Sequence, residues 1–483
     1  MQSKLEFNCA CYSLALTCLV GIFGPRNVVA TQPSQPNIVV FFIDDMGWSD
    51  LSCFGSTKVQ TENIDRLAAE GLRFHQFYVN SPICSPSRTA LTTGQYPQRW
   101  RITSYLNNRN DNNRRGVANW LDLEADTVAE ILSRQGYTAG HFGKWHMGGQ
   151  RDVGEAPLIT EYGFAASLTN FEGLGARLLP LCYTYDGSEP KRHALGSDKL
   201  GRGEITWMDR AVITTGFIDA AIEFMDEAAA SQKPFYVNIW PDDVHSPFFP
   251  PQALRGDASK EQLYLGVVKA MDQQFGKIMD YIRSSPTLAE NTILMLCSDN
   301  GPEPGAGSAL PLKGHKTNLY EGGIRSPLIV WAPQRMSNKT VGSVNRTSVF
   351  SAIDLARSIL DLAGVEESQI LNPMDGQVLS QTLLGHESAS RQSPIFWRRP
   401  PDRPGNKLEN YPDLAIRLGK WKLLIEYDGS MPQLYDLEDD MTESNNLADA
   451  HSARVAELRE RLLSWHASMP PDNGPQLEED RFR

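Results

Sequence analysis

Three things are scarce in this chain of 483 residues. Cysteine is the first: seven in all, too few for a disulfide scaffold. Positive charge is the second, with 46 Lys and Arg against 58 Asp and Glu and a formal charge of −12. A phosphate-backbone binder carries a basic face, so no nucleic-acid partner is expected. An anion site in such a chain must be built from a local cluster of Arg, Lys and His. Long apolar runs are the third. Beyond the N-terminus no segment approaches the roughly 20 apolar residues that cross a bilayer, so no stable membrane span is expected. Repeats and low-complexity tracts are missing too. Hydrophobic residues at 41% and charged residues at 22% are globular values, which excludes intrinsic disorder and collagen.

What is present begins at the N-terminus. Lys4 precedes a stretch without charge from Phe7 to Pro25, and Val28-Val29-Ala30 reads as a secretory cleavage site. Residues 1–30 are therefore expected to be a signal peptide, with a secreted or periplasmic mature protein. That protein keeps Cys53, Cys84, Cys182 and Cys297.

Asn37–Ile43 is a continuous apolar, β-branched run, as a strand buried on both faces requires. Helical patterns follow at Thr61–Gly71 and Thr127–Gly136, each closed by a glycine. Further strands are expected at Pro234–Trp240, Thr292–Cys297 and Leu328–Trp331, with helices at Thr215–Ala230 and Gln262–Ser284 between them. This alternation predicts an α/β fold, a large and mostly parallel mixed sheet sandwiched by helices. After about Asp375 the texture changes to two strands, Ala415–Leu418 and Trp421–Tyr427, a short edge element at Leu434–Leu437 and a helix at Ala453–Trp465. Residues 31–375 are expected to form one domain and 376–483 a smaller α+β subdomain.

Two of the expected strands end in oxygen donors, Asp44-Asp45 and Asp299-Asn300-Gly301. Ligands of open parallel sheets bind beyond the carboxyl ends of the strands. If these strands are neighbours, three carboxylates and an amide oxygen meet, a donor set that favours Ca²⁺ or Mg²⁺ over zinc. The plain alternative is that strand-end acids cap helices. A second feature is Pro82-Ile83-Cys84-Ser85-Pro86-Ser87-Arg88, running into Thr93-Gly94. It reads as an anion site at a helix start, or as a buried cysteine beside a structural arginine. Third, Gly140-His141-Phe142-Gly143-Lys144-Trp145-His146 sets Lys144 and His146 two residues apart, on one face of an extended segment. Anion binding with acid–base help suits that pair better than metal chelation.

Cys84-Ser85-Pro86-Ser87-Arg88 with Thr93-Gly94 resembles the activation signature of the type I, formylglycine-dependent sulfatases. These include the arylsulfatases and N-acetylgalactosamine-6-sulfatases of the alkaline phosphatase superfamily. The other motifs fall in that family's order along nearly the whole mature chain. Asp44-Asp45 resembles its first metal pair and Gly143-Lys144-Trp145-His146 its Lys/His motif. Val244-His245-Ser246-Pro247 is similar to its later histidine, Asp299-Asn300-Gly301 to its second metal pair, and Lys316 with Tyr320-Glu321-Gly322-Gly323 to its Lys…Tyr-Glu-Gly-Gly segment.

The resemblance implies an alkaline-phosphatase-like fold and hydrolysis of a sulfate ester, from a sulfated carbohydrate or an aryl sulfate. It implies conversion of Cys84 to formylglycine by a formylglycine-generating maturation enzyme, before folding is complete. It also implies one Ca²⁺, rather than Mg²⁺, held by Asp44, Asp45, Asp299, Asn300 and the residue-84 oxygen. Lys144 and Lys316 would clamp the sulfate oxygens, Arg88 would hold the nucleophile and metal shell, and His146 would position the nucleophile's proton. His245 would be the general acid toward the leaving oxygen. Gln95 and Thr317 depart from the family pattern, which commonly has Arg and Gly there.

Outside the motifs, Arg99, Trp100 and Arg101 are candidates for reading a sulfated sugar by charge and stacking, with a solvated loop as the alternative. His315 is a candidate substrate contact, and His141 reads as structural. Two other functions compete. One is a phosphate or phosphonate monoester hydrolase of the same superfamily, and the other a sulfated-glycan binding protein with Cys84 unconverted.

Overall fold

A computed structural model describes residues 35–473 apart from 150–152, 171, 185–187 and 402–410. The expected signal segment, residues 1–30, lies outside the described residues.

Asn37–Ile43 is the central strand of a twelve-stranded mixed sheet. It runs parallel to Phe235–Trp240 on one side and to Thr292–Ser298 on the other. Outward from Phe235–Trp240 come Thr138–Gly143, Ala166–Thr169 and Arg177–Cys182, each parallel to its neighbour. Outward from Thr292–Ser298 come Arg325–Trp331 and Leu72–Tyr78, joined by antiparallel pairing.

The central strand is apolar at every position after Asn37 because both faces are covered. Ile38, Val40 and Phe42 enter one core cluster, and Val39, Phe41 and Ile43 the other. Helices Glu62–Glu70, Ile213–Ala230 and Lys260–Ser284 cover the second face. Val128–Arg134 and Ala352–Leu362 cover the first. The expected mostly parallel, helix-sandwiched sheet is what forms.

The glycines closing the first two predicted helices differ. Gly136 takes the left-handed conformation, at φ +88°, that a helix C-terminus favours. Gly71 is extended instead, and it is glycine because a Cβ there would lie 2.4 Å from the Val330 carbonyl oxygen. Several strands were not legible as apolar runs, among them Leu72–Tyr78, interrupted by Arg73, His75 and Gln76, Thr138–Gly143, interrupted by Gly140 and His141, and the short Ala166–Thr169. Arg109–Arg115, in the Asn/Arg-rich stretch, is a short helix capped by the Asn108 side chain.

A second, antiparallel sheet follows in the order Ile395–Arg398, Leu414–Leu418, Trp421–Ile425, Gln433–Asp436, and helix Ser452–Ser468 packs on it. A buried ionic cluster docks this sheet. Lys422 Nζ lies 2.9 Å from Glu321 and 2.8 Å from Glu443, and Tyr78 donates to Glu321 at 2.6 Å. Apolar contact continues the dock, with Ala90 and Tyr96 of the main body packed against Leu414, Ile416 and Leu423. Among the described residues the four cysteines are free thiols, and no helix is long and apolar enough to cross a membrane.

Candidate active site

The parallel strands discharge their following residues at one edge of the sheet. Ile43 leads to Asp44-Asp45, Ser298 to Asp299-Asn300, Gly143 to Lys144, and Trp240 to the His245 loop. Arg325–Trp331 runs the other way, so the segment preceding it, with Lys316 and Glu321, arrives at the same edge. Leu72–Tyr78 leads into helix Cys84–Thr93, every residue of which is buried. The arrangement follows the rule that open α/β sheets bind ligands beyond their strands' carboxyl ends.

Register fixes the carboxylates. Ile43 pairs with Ser298, so the acids after each strand are level, and the Asp45 amide donates to Asp299 Oδ1 at 3.1 Å. Asp44, Asp45 and Asp299 are fully buried, and a carboxylate oxygen from each lies within 4.8 Å of the others. Each carboxylate has its own cation. Lys144 Nζ donates to Asp44 at 2.7 Å, Lys316 Nζ to Asp45 at 2.5 Å, and Arg88 Nη2 to Asp299 at 2.7 Å. Arg88 also approaches Asp44 at 3.4 Å and donates to the Lys144 carbonyl at 3.0 Å. The helix-capping alternative for these acids is thereby displaced, because all three point into one cluster.

The donor set fits a hard divalent cation. Asn300 spends both amide hydrogens, on Asp45 Oδ1 at 2.7 Å and the Gly301 carbonyl at 2.9 Å, which fixes its orientation. Its Oδ1 and Asp44 Oδ1 are buried without a hydrogen-bond partner among the described residues. Orphaned oxygens beside three carboxylates are what an oxygen-coordinated cation satisfies. Gly301 is required next to them, since a Cβ there would lie 1.9 Å from the Gly322 carbonyl oxygen. Asp45, His146 and Thr317 all have positive φ, at 61°, 56° and 77°. Strain of this kind collects at functional sites, and it explains the glycine the family commonly has at position 317. The turn at His146 also means that the segment carrying Lys144 and His146 is not extended, as their spacing had suggested.

Burial opposes charge on Asp44, but Lys144, His245, Arg88 and Lys316 outweigh it and hold this carboxyl well below the usual range. Asp299 moves the other way. Burial, then the Asp44 charge, push it well above the usual range against the pull of Arg88. Burial works against charge on Lys144 and Lys316 as well, yet the acids beside them raise both.

Two histidines flank the cluster. His245 Nδ1 donates to the Ser246 carbonyl at 2.7 Å, leaving Nε2 facing Asp45 at 3.7 Å. Burial, reinforced by Lys316, lowers its pKa. His146 Nε2 donates to the Leu106 carbonyl at 3.1 Å, and burial takes its pKa down to about 4. His141 lies beneath the site, its Nε2 3.2 Å from the Lys144 carbonyl and its ring among Trp145, Phe164 and Trp240.

Cys84 is 2% exposed and opens the buried helix Cys84–Thr93, whose Arg88 reaches Asp44 and Asp299. The sugar-reading candidates are placed differently. Arg99 grips Asp375 at 2.6 and 2.7 Å, and Trp100 donates to Gln95 at 2.9 Å, so both serve a clasp between main-body segments. Arg101 is exposed and carries the turn after them at φ 55°. His315 Nδ1 donates to the Lys316 carbonyl at 2.8 Å, and its half-buried ring stands 6.4 Å from that of Tyr411. Glu172 was missed altogether. Buried in the turn after Ala166–Thr169, it meets Lys144 at 3.5 Å and His146 at 3.4 Å. The signal lay in its place, an acid just past a strand at the same sheet edge, but that strand was not legible as an apolar run.

Comparison with known proteins agrees with this geometry. The sulfatase family profile matches residues 36–365, and that of the N-sulphoglucosamine sulphohydrolase C-terminal region matches residues 315–468. The N-acetylgalactosamine-6-sulfatase of Canis lupus familiaris is 30% identical over 404 residues, covering 81% of this chain and 72% of its own. The N-acetylgalactosamine-6-O-sulfatase of Bacteroides thetaiotaomicron is 30% identical over 89% of this chain and 93% of its own. Among solved structures, Ps i-CgsB in complex with k-i-k-neocarrahexaose superposes with a TM-score of 0.73 at 26% identity, over 93% of this chain and 96% of that one. The chain belongs to the sulfatase family: it is a sulfuric ester hydrolase of alkaline-phosphatase-like fold.

Proposed function

We propose that this sulfatase removes sulfate from a sulfated carbohydrate, using a formylglycine made from Cys84 and one divalent cation, Ca²⁺ by its all-oxygen donors. The observation that carries the reading is the convergence of Asp44, Asp45, Asp299 and the orphaned Asn300 oxygen with Arg88, Lys144 and Lys316, at the sheet edge where the Cys84 helix begins. Relatives named for N-acetylgalactosamine 6-sulfate, and a neighbour solved with a carrageenan oligosaccharide, support a carbohydrate. Asp44, Asp45, Asp299 and Asn300 would hold the cation.

Such a formylglycine would supply a hydrated aldehyde as the oxygen nucleophile, and the cation would supply Lewis acidity and charge neutralisation. The chain's own residues do the rest. Lys144 and Lys316 bind the sulfate oxygens, where charge develops as the ester bond breaks. Arg88, fully buried, keeps Asp44 and Asp299 in place. His146 spends Nε2 on the Leu106 carbonyl, so Nδ1 is the nitrogen that accepts a proton at position 84. His245 spends Nδ1 on the Ser246 carbonyl, so a proton reaches the leaving oxygen from Nε2. A maturation enzyme must oxidise Cys84, and residues 1–30 would direct export to a secreted or periplasmic location.

The test is to co-express the full chain with a maturation enzyme, then weigh the peptide spanning Ser81–Arg88. Conversion lowers its mass by about 18 Da. Converted protein with Ca²⁺ is expected to release sulfate from members of a panel of sulfated sugars. Converted protein that binds those sugars and releases nothing would sink the hydrolytic reading in favour of glycan binding. Faster release of phosphate from a matched phosphate ester would favour the monoester-hydrolase alternative.

A further inference from the structure

Glu172 is a buried acid at this sheet edge that faces both Lys144 and His146, and neither the cation set nor the proton-transfer roles above employ it. Its position is constructed. The Glu172 amide donates to the Asn170 side-chain oxygen at 3.2 Å, and the Asn170 amide group donates to Asp242 at 3.0 Å. Asp242 is gripped by Arg210 at 2.6 Å, and its carbonyl accepts from the His245 amide at 3.0 Å. Gly173 completes the turn, where a Cβ would lie 2.5 Å from Thr169 Oγ1.

The carboxylate at the end of this frame spans two groups. Oε2 faces Lys144 Nζ at 3.5 Å, and Oε1 faces His146 Nδ1 at 3.4 Å. Both Glu172 Oε2 and His146 Nδ1 are buried and lack any other hydrogen-bond partner among the described residues. The Leu106 carbonyl can only accept, so the neutral His146 ring keeps its hydrogen on Nε2; Nδ1 meets the Glu172 carboxylate with a hydrogen between them once Nδ1 has taken up a proton, and the carboxylate is then the counter-charge of that imidazolium. Lys144 is shared in the same way, 2.7 Å from Asp44 on one side and 3.5 Å from Glu172 on the other.

Resting on the sulfatase reading, we propose that Glu172 is a positioning residue of this active site. Its carboxylate holds the Lys144 ammonium and faces His146 Nδ1 as the counter-charge for the proton that nitrogen accepts, and its turn ties both through Asn170 and Asp242 to the His245 loop. It touches neither substrate nor cation in this role. It sets where the sulfate-binding ammonium and the proton-accepting nitrogen stand, so its loss is read in turnover rather than in substrate affinity.

The experiment uses the full chain, co-expressed with a maturation enzyme, as wild type, Glu172→Gln and Glu172→Asp. Turnover of 4-methylumbelliferyl sulfate, Cys84 conversion by peptide mass and the thermal midpoint are recorded for each. Glu172→Gln keeps the shape and removes the charge. It is expected to lower kcat by about ten- to hundredfold with KM within about threefold, as removal of an orienting partner does. Conversion and midpoint should match wild type, and Glu172→Asp should recover part of kcat. Wild-type kcat in Glu172→Gln overturns the proposal, as does a loss that follows a lower midpoint or lower conversion and is not recovered by Asp.

A second measurement does not depend on turnover. In protein labelled with ¹⁵N-histidine, the His146 ring signals, assigned by their loss in His146→Asn, should move in Glu172→Gln. Unmoved signals overturn the proposal. A wild type that converts Cys84 and hydrolyses no sulfate ester sinks the sulfatase reading instead, and the ring signals then decide the Glu172 contact alone.

Discussion

Arg88→Met tests the charge balance of the site directly. The side chain is fully buried, with its guanidinium carbon 5.6 Å from the Phe42 ring centroid and 5.3 Å from that of Trp240. Methionine is of similar length and packs well on aromatic faces, so the substitution removes charge while keeping most of the packing. At an effective dielectric constant of about 20, unit charges at the 2.7 Å Arg88–Asp299 distance attract by about 6 kcal/mol before desolvation is counted. Removing one partner of a buried pair typically costs about 3–5 kcal/mol, because the other charge stays behind uncompensated. Urea unfolding at pH 7 with a chelator present should therefore show a loss of about 3–5 kcal/mol. A divalent cation should return part of it. At a hundred times its dissociation constant a bound ligand adds about 2.7 kcal/mol, and the added stability on titrating Ca²⁺ should be larger in the variant than in wild type. A variant as stable as wild type in chelator, or one that gains less from Ca²⁺, would refute the view that Arg88 balances these carboxylates.

Three further outcomes are expected. Asn300→Leu keeps the branched outline but removes the orphaned oxygen and the amide hydrogen bonds to Asp45 and Gly301, and the rise in thermal midpoint on adding Ca²⁺ should shrink relative to wild type. His141 is held neutral, with burial taking its pKa down to about 3 from an ordinary 6.5. A histidine lowered in this way gives stability that is complete above about pH 6.5 and lost as pH falls, since only the unfolded chain takes the proton. Between pH 4 and 6 the unfolding free energy should change by about 1.4 kcal/mol less per pH unit in His141→Gln, measured by urea titration at each pH. Thr317→Gly relieves a β-branched residue at φ 77° and should raise stability by about 1 kcal/mol, read as a higher urea midpoint.

The sequence was most readable where burial is complete on both faces. Asn37–Ile43, Phe235–Trp240 and Thr292–Ser298 are nearly continuous apolar runs because helices cover the sheet on both sides, and the acids that follow the first and third of them pointed to the candidate site. Leu72–Tyr78 and Thr138–Gly143 hid, since Arg73, His75 and Gln76 in one and Gly140 and His141 in the other interrupt the run. Glu172 hid as well, because an acid has meaning only once the strand before it is placed, and that strand, Ala166–Thr169, carries no apolar run. Arg99 and Trp100 carry partners that the sequence did not reveal. A charged and an aromatic residue side by side suit sugar recognition, but here Asp375 and Gln95, which no local pattern links to them, take up their polar groups.

The docking of the antiparallel sheet also sets a clock for biosynthesis. Helix Cys84–Thr93 is sealed in part by that sheet, with Ala90 against Leu414, Ile416 and Leu423, and Trp397 donates to the Val79 carbonyl at 2.7 Å, just before the cysteine. Leu414 leaves the ribosome about 320 residues after Ala90. At about 5–20 residues per second that is an interval of about 15–60 s. For that interval the thiol-bearing segment lacks its final cover, so the proposed conversion of Cys84 would have to precede the arrival of this sheet.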